Sequence, residues 1–174
     1  MASRPLKFDC SELIKDFLYL GSAPTSKNIN GLKTLNITHI VNLAGKCHFP
    51  SDFIYGEFHI PDRSESTEKF DEHLEPLLKF IDEARTTPGH NSRVLVHCQG
   101  GISRTPTIAI IYLMHSLHMT LNDAFQLVQE KRPNMRPNTD HLKKLLKVEQ
   151  SMFGKNSISE EALQTFLVNK TRKT

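Results

Sequence analysis

The sequence predicts an α/β fold: a single domain with a small, mostly parallel central sheet flanked by helices. Three observations predict it. Short β-branched or apolar runs stand at 17–20, 38–44, 53–60 and 93–97, with helical periodicity between them. Val94-Leu95-Val96 is continuously apolar, as a strand buried on both faces must be. From residue 104 onward the chain carries successive helical patterns and no further strand run.

Taken in order, Phe17 to Leu20 is closed by Gly21-Ser22 and reads as an edge or entry strand. Residues 25–35 form a short helix with Ile29, Leu32 and Leu35 on one side. Thr38 to Ala44 is a candidate central strand, and Phe53 to Ile60 a second one leading into Pro61. The stretch from Pro61 to Lys69 is polar without periodicity, hence a surface loop. Helical spacing returns at Phe70 with Leu74, Leu77, Leu78 and Ile81, and Pro88-Gly89 ends it. Arg93 to His97 is the clearest strand, followed by a Gly-bearing turn and an apolar helix from about 104 to 118. Thr120 is placed to cap a helix running to Lys131, and Asp140 to Phe153 is a further helix. Residues 1–153 thus make one domain; 154–174 are a C-terminal tail in which Leu163, Phe166 and Leu167 suggest one extra helix.

The 174 residues are 38% apolar, enough for one core, and the net charge of +3 is too small to indicate a nucleic-acid partner. Three cysteines have no framework spacing, and the histidines no metal-ligand spacing, so neither a disulfide scaffold nor a metal or other cofactor is expected. The first 30 residues are interspersed with charges and offer no apolar span. The expectation is a cytoplasmic chain, also able to enter the nucleus, that does not insert in a membrane.

Chemistry concentrates in the segment from Val94 to Pro106. A strand places Cys98 at its carboxyl end, where open α/β sheets bind ligands, and Arg104 follows six positions later at a helix start. Gly100 and Gly101 permit the tight curl between them. A loop Gln99-Gly100-Gly101-Ile102-Ser103-Arg104 curling into a helix aims backbone N–H groups at one centre and adds the helix dipole, a cradle for a phosphate dianion. Arg104 supplies paired donors for phosphate oxygens. The same field favours a thiolate nucleophile at Cys98, with His97 to position or electrostatically support the sulfur and Thr105 to donate its hydroxyl when the thiolate leaves.

The signature His97-Cys98-x2-Gly101-x2-Arg104-Thr105 resembles that of the cysteine-based protein phosphatases, specifically the small atypical dual-specificity phosphatases. Phe17 to Ser22 is similar to the family's opening strand and turn, Ile37 to Leu43 to its first parallel strand, and Arg132-Pro133 with Pro137-Asn138 to its late pairs. The resemblance covers about residues 12–150. It implies hydrolysis of phosphotyrosine and phosphoserine or phosphothreonine through a cysteinyl-phosphate intermediate, with no cofactor, and Asn138 supporting the phosphate loop.

The resemblance also implies a general acid, normally an aspartate, in the loop after the second strand. Ungapped counting puts Ser64 at that position, flanked by Asp62 and Glu65. Three outcomes are open: Asp62, Glu65, or weak acid assistance. Asp62 is preferred because it follows directly from the strand–proline anchor. His141 stands where the family usually carries an apolar residue and receives no role.

Gln99, Gly100 and Ile102 occupy positions where lipid-phosphate relatives carry lysines, so phosphorylated proteins are the expected partners. The alternatives are a phosphoprotein-binding scaffold with little turnover, or a phosphatase for a non-protein substrate such as 5′-phosphorylated RNA. Oligomeric state is not legible.

Overall fold

The computed structural model describes residues 8–62, 67–89 and 91–169. Five strands form one sheet in the order β1-β2-β5-β3-β4: β1 (Ser11–Ile14), β2 (Leu18–Gly21), β3 (His39–Asn42), β4 (Ile54–Glu57) and β5 (Val94–His97). All neighbours pair parallel except β1 with β2. The sequence reading missed β1, so the run 17–20 is not an edge but lies between β1 and β5. The sequence Ser-Glu-Leu-Ile is short and bears a charge, as edge strands do, and leaves almost no apolar signal.

Side chains alternate across the sheet and divide the core in two. Leu18, Leu20, Val41, Val94 and Val96 face the larger layer, built on α3 (Thr67–Thr86), α4 (Arg104–Leu117), α5 (Leu121–Lys131), α6 (Thr139–Phe153) and α7 (Glu160–Asn169). Tyr19, Ile40 and Leu95 face the smaller layer, with Leu32, Ile37 and Phe53, under α1 (Ala23–Ser26) and α2 (Ile29–Thr34). That two-sided burial is why β5 reads as an unbroken apolar run.

Every residue of α4 from Thr105 to Met114 is buried, the pattern of a helix surrounded by protein. Its amino terminus follows the β5 carboxyl end, so the connection 98–103 lies at the mouth of the sheet. Thr120 caps α5 by accepting from the Asp123 N–H. Helix α3 begins at Thr67, three residues before the first apolar position of its stripe, and continues through Pro76.

The tail adds α7, whose Leu163 is fully buried in the main core, with Phe166 stacked on Phe125 at 6.2 Å. Glu149 ties the preceding turn down by accepting from Leu121 N–H, Ser157 N–H and Ser157 Oγ–H.

Candidate active site

Cys98, 2% exposed, lies immediately after β5 at the base of the 99–103 loop. The Gly101 N–H donates to its Sγ at 3.2 Å, a contact suited to an anionic sulfur. The N–H groups of Gln99, Gly100, Ile102 and Ser103 donate to no acceptor among the described residues. Backbone donors are ordinarily paired, and a loop with several left over is built for a ligand that accepts from them.

The start of α4 follows the same logic. A helix N-cap serine ordinarily uses its oxygen on the first-turn N–H groups. Ser103 makes no such bond. Its Oγ lies 2.7 Å from His141 Nδ1 and accepts from the Asn138 N–H at 3.1 Å, so the α4 amino terminus keeps its donors for an anion.

Gly101 explains its own glycine. Its φ is +65°, and a Cβ would stand 2.5 Å from the Gly21 carbonyl oxygen and 2.6 Å from Arg132 Nη2. Arg132, 1% exposed, holds the loop from beneath: its Nε donates to the Gly101 carbonyl at 2.6 Å, and its Nη groups reach the Asp9 carboxylate and Ser11 Oγ. The arginine–proline pair was legible only as a resemblance; its work on the loop was not.

Arg104 faces the opposite wall. Its Nη1 donates to the Ile60 carbonyl at 3.2 Å, and Asp62 Oδ1 lies 3.3 Å from its Nε. Asp62, with a side chain 54% exposed, therefore stands at the mouth of the cradle beside the cation. Ser64 and Glu65 lie outside the described residues.

Asn138 joins the two walls. While its N–H meets Ser103, its Nδ2 donates to the Asp62 carbonyl and its Oδ1 accepts from the His141 N–H to cap α6. Sequence reading gave His141 no role. The ring is buried and bonded to Ser103; desolvation pulls it below the usual histidine range, and a hydrogen bond with the Pro61 backbone opposes that shift. It touches both the phosphate loop and the segment that carries Asp62. The available signal was its position three residues past the capping asparagine, the N3 site of α6.

Two further residues singled out in the sequence lie beneath the loop. Thr105 Oγ1 donates to the Gly21 carbonyl at 3.3 Å and so anchors α4 to the end of β2. His97 is 1% exposed, and burial lowers it to about 4. At neutral pH the ring is uncharged and adds no cation beside Cys98. The interaction that opposes this shift is with the Cys98 backbone, and it falls short of a full hydrogen bond.

The described residues include no cluster of metal-ligating side chains and no helix long and apolar enough to cross a membrane.

Comparison with known proteins agrees with this geometry. The family described as "Dual specificity phosphatase, catalytic domain" matches residues 18–151. A probable rhodanese domain-containing dual specificity protein phosphatase of Dictyostelium discoideum is 40% identical over 144 residues, covering 82% of this chain and 29% of its own length. Human dual specificity protein phosphatase 9 is 38% identical over 148 residues, covering 83% of this chain and 37% of its own. The chain thus spans about a third of the length of these relatives. The crystal structure of a single-site variant of human DUSP28 superposes with a TM-score of 0.72 at 26% identity, over 83% of this chain and 97% of that one.

Proposed function

The chain belongs to the dual specificity phosphatase catalytic-domain family, and from that membership we propose that it hydrolyses phosphate monoesters on proteins, at phosphotyrosine and at phosphoserine or phosphothreonine. One observation carries the reading: the candidate nucleophile Cys98 lies at the base of a loop in which four backbone N–H groups have no acceptor among the described residues, at the amino terminus of α4 that no side chain caps.

In this reading the Cys98 thiolate attacks phosphorus from the base of the loop. A phosphorus–sulfur bond forms as the ester phosphorus–oxygen bond breaks, and the loop N–H groups with Arg104 hold the non-bridging oxygens. Asp62 gives its proton to the departing oxygen. Its carboxylate then takes a proton from water, which attacks the cysteinyl phosphate and releases inorganic phosphate and the thiolate. Asn138 and His141 keep the loop carrying Asp62 in register with the cradle.

The Cys98→Ser variant is expected to bind phosphopeptide and lose turnover; retained hydrolysis overturns the thiolate mechanism. Asp62→Asn is expected to slow a phosphoserine peptide by about 10²–10⁴ and an aryl phosphate with an acidic phenol far less. Equal rates of variant and parent on the peptide would remove Asp62 from the mechanism.

A further inference from the structure

Three successive carbonyl-bearing residues between β4 and α3 are each held by a side chain from the cradle side. Arg104 Nη1 donates to the Ile60 carbonyl at 3.2 Å, Asn138 Nδ2 donates to that of Asp62, and the His141 ring hydrogen-bonds the backbone of Pro61 between them. Proline has no N–H, so its backbone can only accept and the imidazole is the donor. A neutral imidazole carries one N–H, and that proton is spent at Pro61.

The direction of the ring's other bond follows. His141 Nδ1 lies 2.7 Å from Ser103 Oγ. With the one ring proton on Nε2, Nδ1 accepts and the Ser103 hydroxyl donates. Ser103 Oγ in turn accepts from the Asn138 N–H at 3.1 Å. The Asn138 N–H, the Ser103 hydroxyl and the imidazole thus form one directed chain. It starts at the head of α6, passes through the phosphate loop and ends on the carbonyl that precedes Asp62. Bonds in such a chain polarise and strengthen one another. Phe70 of α3 packs against the ring, with centroids 6.0 Å apart, and His141 is 3% exposed, so little water competes for its nitrogens. Burial also favours the uncharged ring, the form the chain of bonds requires.

We propose that His141 is a positioning residue for proton transfer: as the Nε2–H tautomer, its imidazole bridges Ser103 on the phosphate loop to the Pro61 carbonyl and thereby fixes where Asp62 stands relative to the leaving oxygen. The role rests on the reading of the chain as a phosphoprotein phosphatase with Asp62 as its acid. The apolar residue usual at this position in the family fills similar space and makes neither bond, so the bridge belongs to this chain's own histidine. The Gly101 N–H donates to Cys98 Sγ and Arg104 Nη1 to Ile60, so the bonds of His141 involve neither the nucleophile nor the phosphate-binding arginine. Its loss therefore falls most heavily on the departure of a leaving group that needs a proton.

Two substrates test it: a phosphoserine peptide, whose alkoxide must be protonated as it departs, and an aryl phosphate with an acidic phenol, whose oxygen needs little help. His141→Phe keeps the buried bulk and deletes both bonds. It is expected to lower the ratio of kcat/KM on the peptide to that on the aryl phosphate by about tenfold, short of the cost of removing the acid itself. His141→Asn offers a carbonyl oxygen near the Nδ1 position and nothing at Nε2, and His141→Gln an amide near Nε2 and nothing at Nδ1. Each keeps one end of the bridge, and each is expected to lower the ratio as far as His141→Phe does. Heteronuclear NMR of the parent at neutral pH is expected to show His141, identified as the signal lost in His141→Gln, as the Nε2–H tautomer. That measurement decides even where a variant fails to fold. An Nδ1–H or doubly protonated ring overturns the bridge, as does a ratio within about twofold of the parent's in any of the three variants, or an equal fall on both substrates. A parent that cleaves the aryl phosphate and no phosphopeptide overturns the phosphoprotein reading instead, and parental peptide rates in Asp62→Asn overturn the acid; either result removes the catalytic role of His141 while its tautomer still reports the bridge.

Discussion

At the scale of single residues the site is defined by groups that do not follow the usual pairing rules. Ser103 is an N-cap whose side chain does not cap, His97 is an imidazole buried in the fold, and Gly101 is held at positive φ where a Cβ would strike backbone. Of these, His97 makes a prediction about pH. Burial lowers it from 6.5 to about 4 in the folded chain. Between those values the unfolded chain binds a proton that the folded one refuses, so stability is full above pH 6.5 and falls as pH drops toward 4. The whole window amounts to about 3 kcal/mol. Urea unfolding of the parent at pH 7 and pH 4.5 is expected to show that loss, and His97→Leu a loss smaller by most of that amount; parallel slopes would mean that the ring protonates freely in the folded chain. The sequence displayed Cys98, Arg104 and the loop glycines openly, since each is a residue type that the proposed chemistry requires locally. It could not carry the burial of His97, which depends on what the β3–β4 connection and α1 pack against it.

At the scale of elements, the phosphate loop is held from three directions by segments distant in sequence. Arg132, following α5, supports the Gly101 carbonyl, Asn138 and His141 at the start of α6 hold Ser103, and Ala23 at the start of α1 holds Gln99. Helix periodicity found α4, α5 and α6 because their apolar stripes are strong. It did not reveal that the caps of these helices are the scaffold of the site, because a cap's tertiary partner leaves no local pattern. Edge strand β1 escaped for the same reason: its importance lies in holding Ser11 toward Arg132, next to the Asp9 carboxylate. The consequence is testable at Arg132. Replacement by Met preserves much of the buried volume but deletes the donor to the Gly101 carbonyl and strands that acceptor in the interior. We expect a stability loss of about 2–4 kcal/mol. Turnover of a small aryl phosphate is expected to fall at least about tenfold at temperatures where the variant remains folded, since the loop loses its underlying support. A variant that is destabilised but turns over normally would confine Arg132 to packing.

At the scale of the whole molecule, the carboxyl edge of the sheet carries the candidate site, and the two cores on either side of it differ in depth. The thin layer lies under α1 and α2, and the thick layer of five helices anchors α4, whose amino terminus faces the cradle. The tail belongs to the thick layer. Leu163 contributes a fully buried side chain, Gln129 Nε2 donates to the Phe166 carbonyl at 3.1 Å, and Phe166 stacks on Phe125 of α5. None of these groups touches the 98–104 loop, so the tail should govern stability and leave chemistry alone. Leu163→Ala opens a cavity where a leucine was buried and is expected to cost about 2–5 kcal/mol. For a chain of this length, that lowers Tm by roughly 5–15 °C. Because α5 leads directly into Arg132, a second outcome has meaning. If Leu163→Ala leaves kcat on an aryl phosphate unchanged at 25 °C, α7 acts only through the stability of the core. If kcat falls with Tm while the fraction folded stays complete, the tail is coupled through α5 and Arg132 to Gly101, and the phosphate cradle is shaped by packing at the far side of the domain.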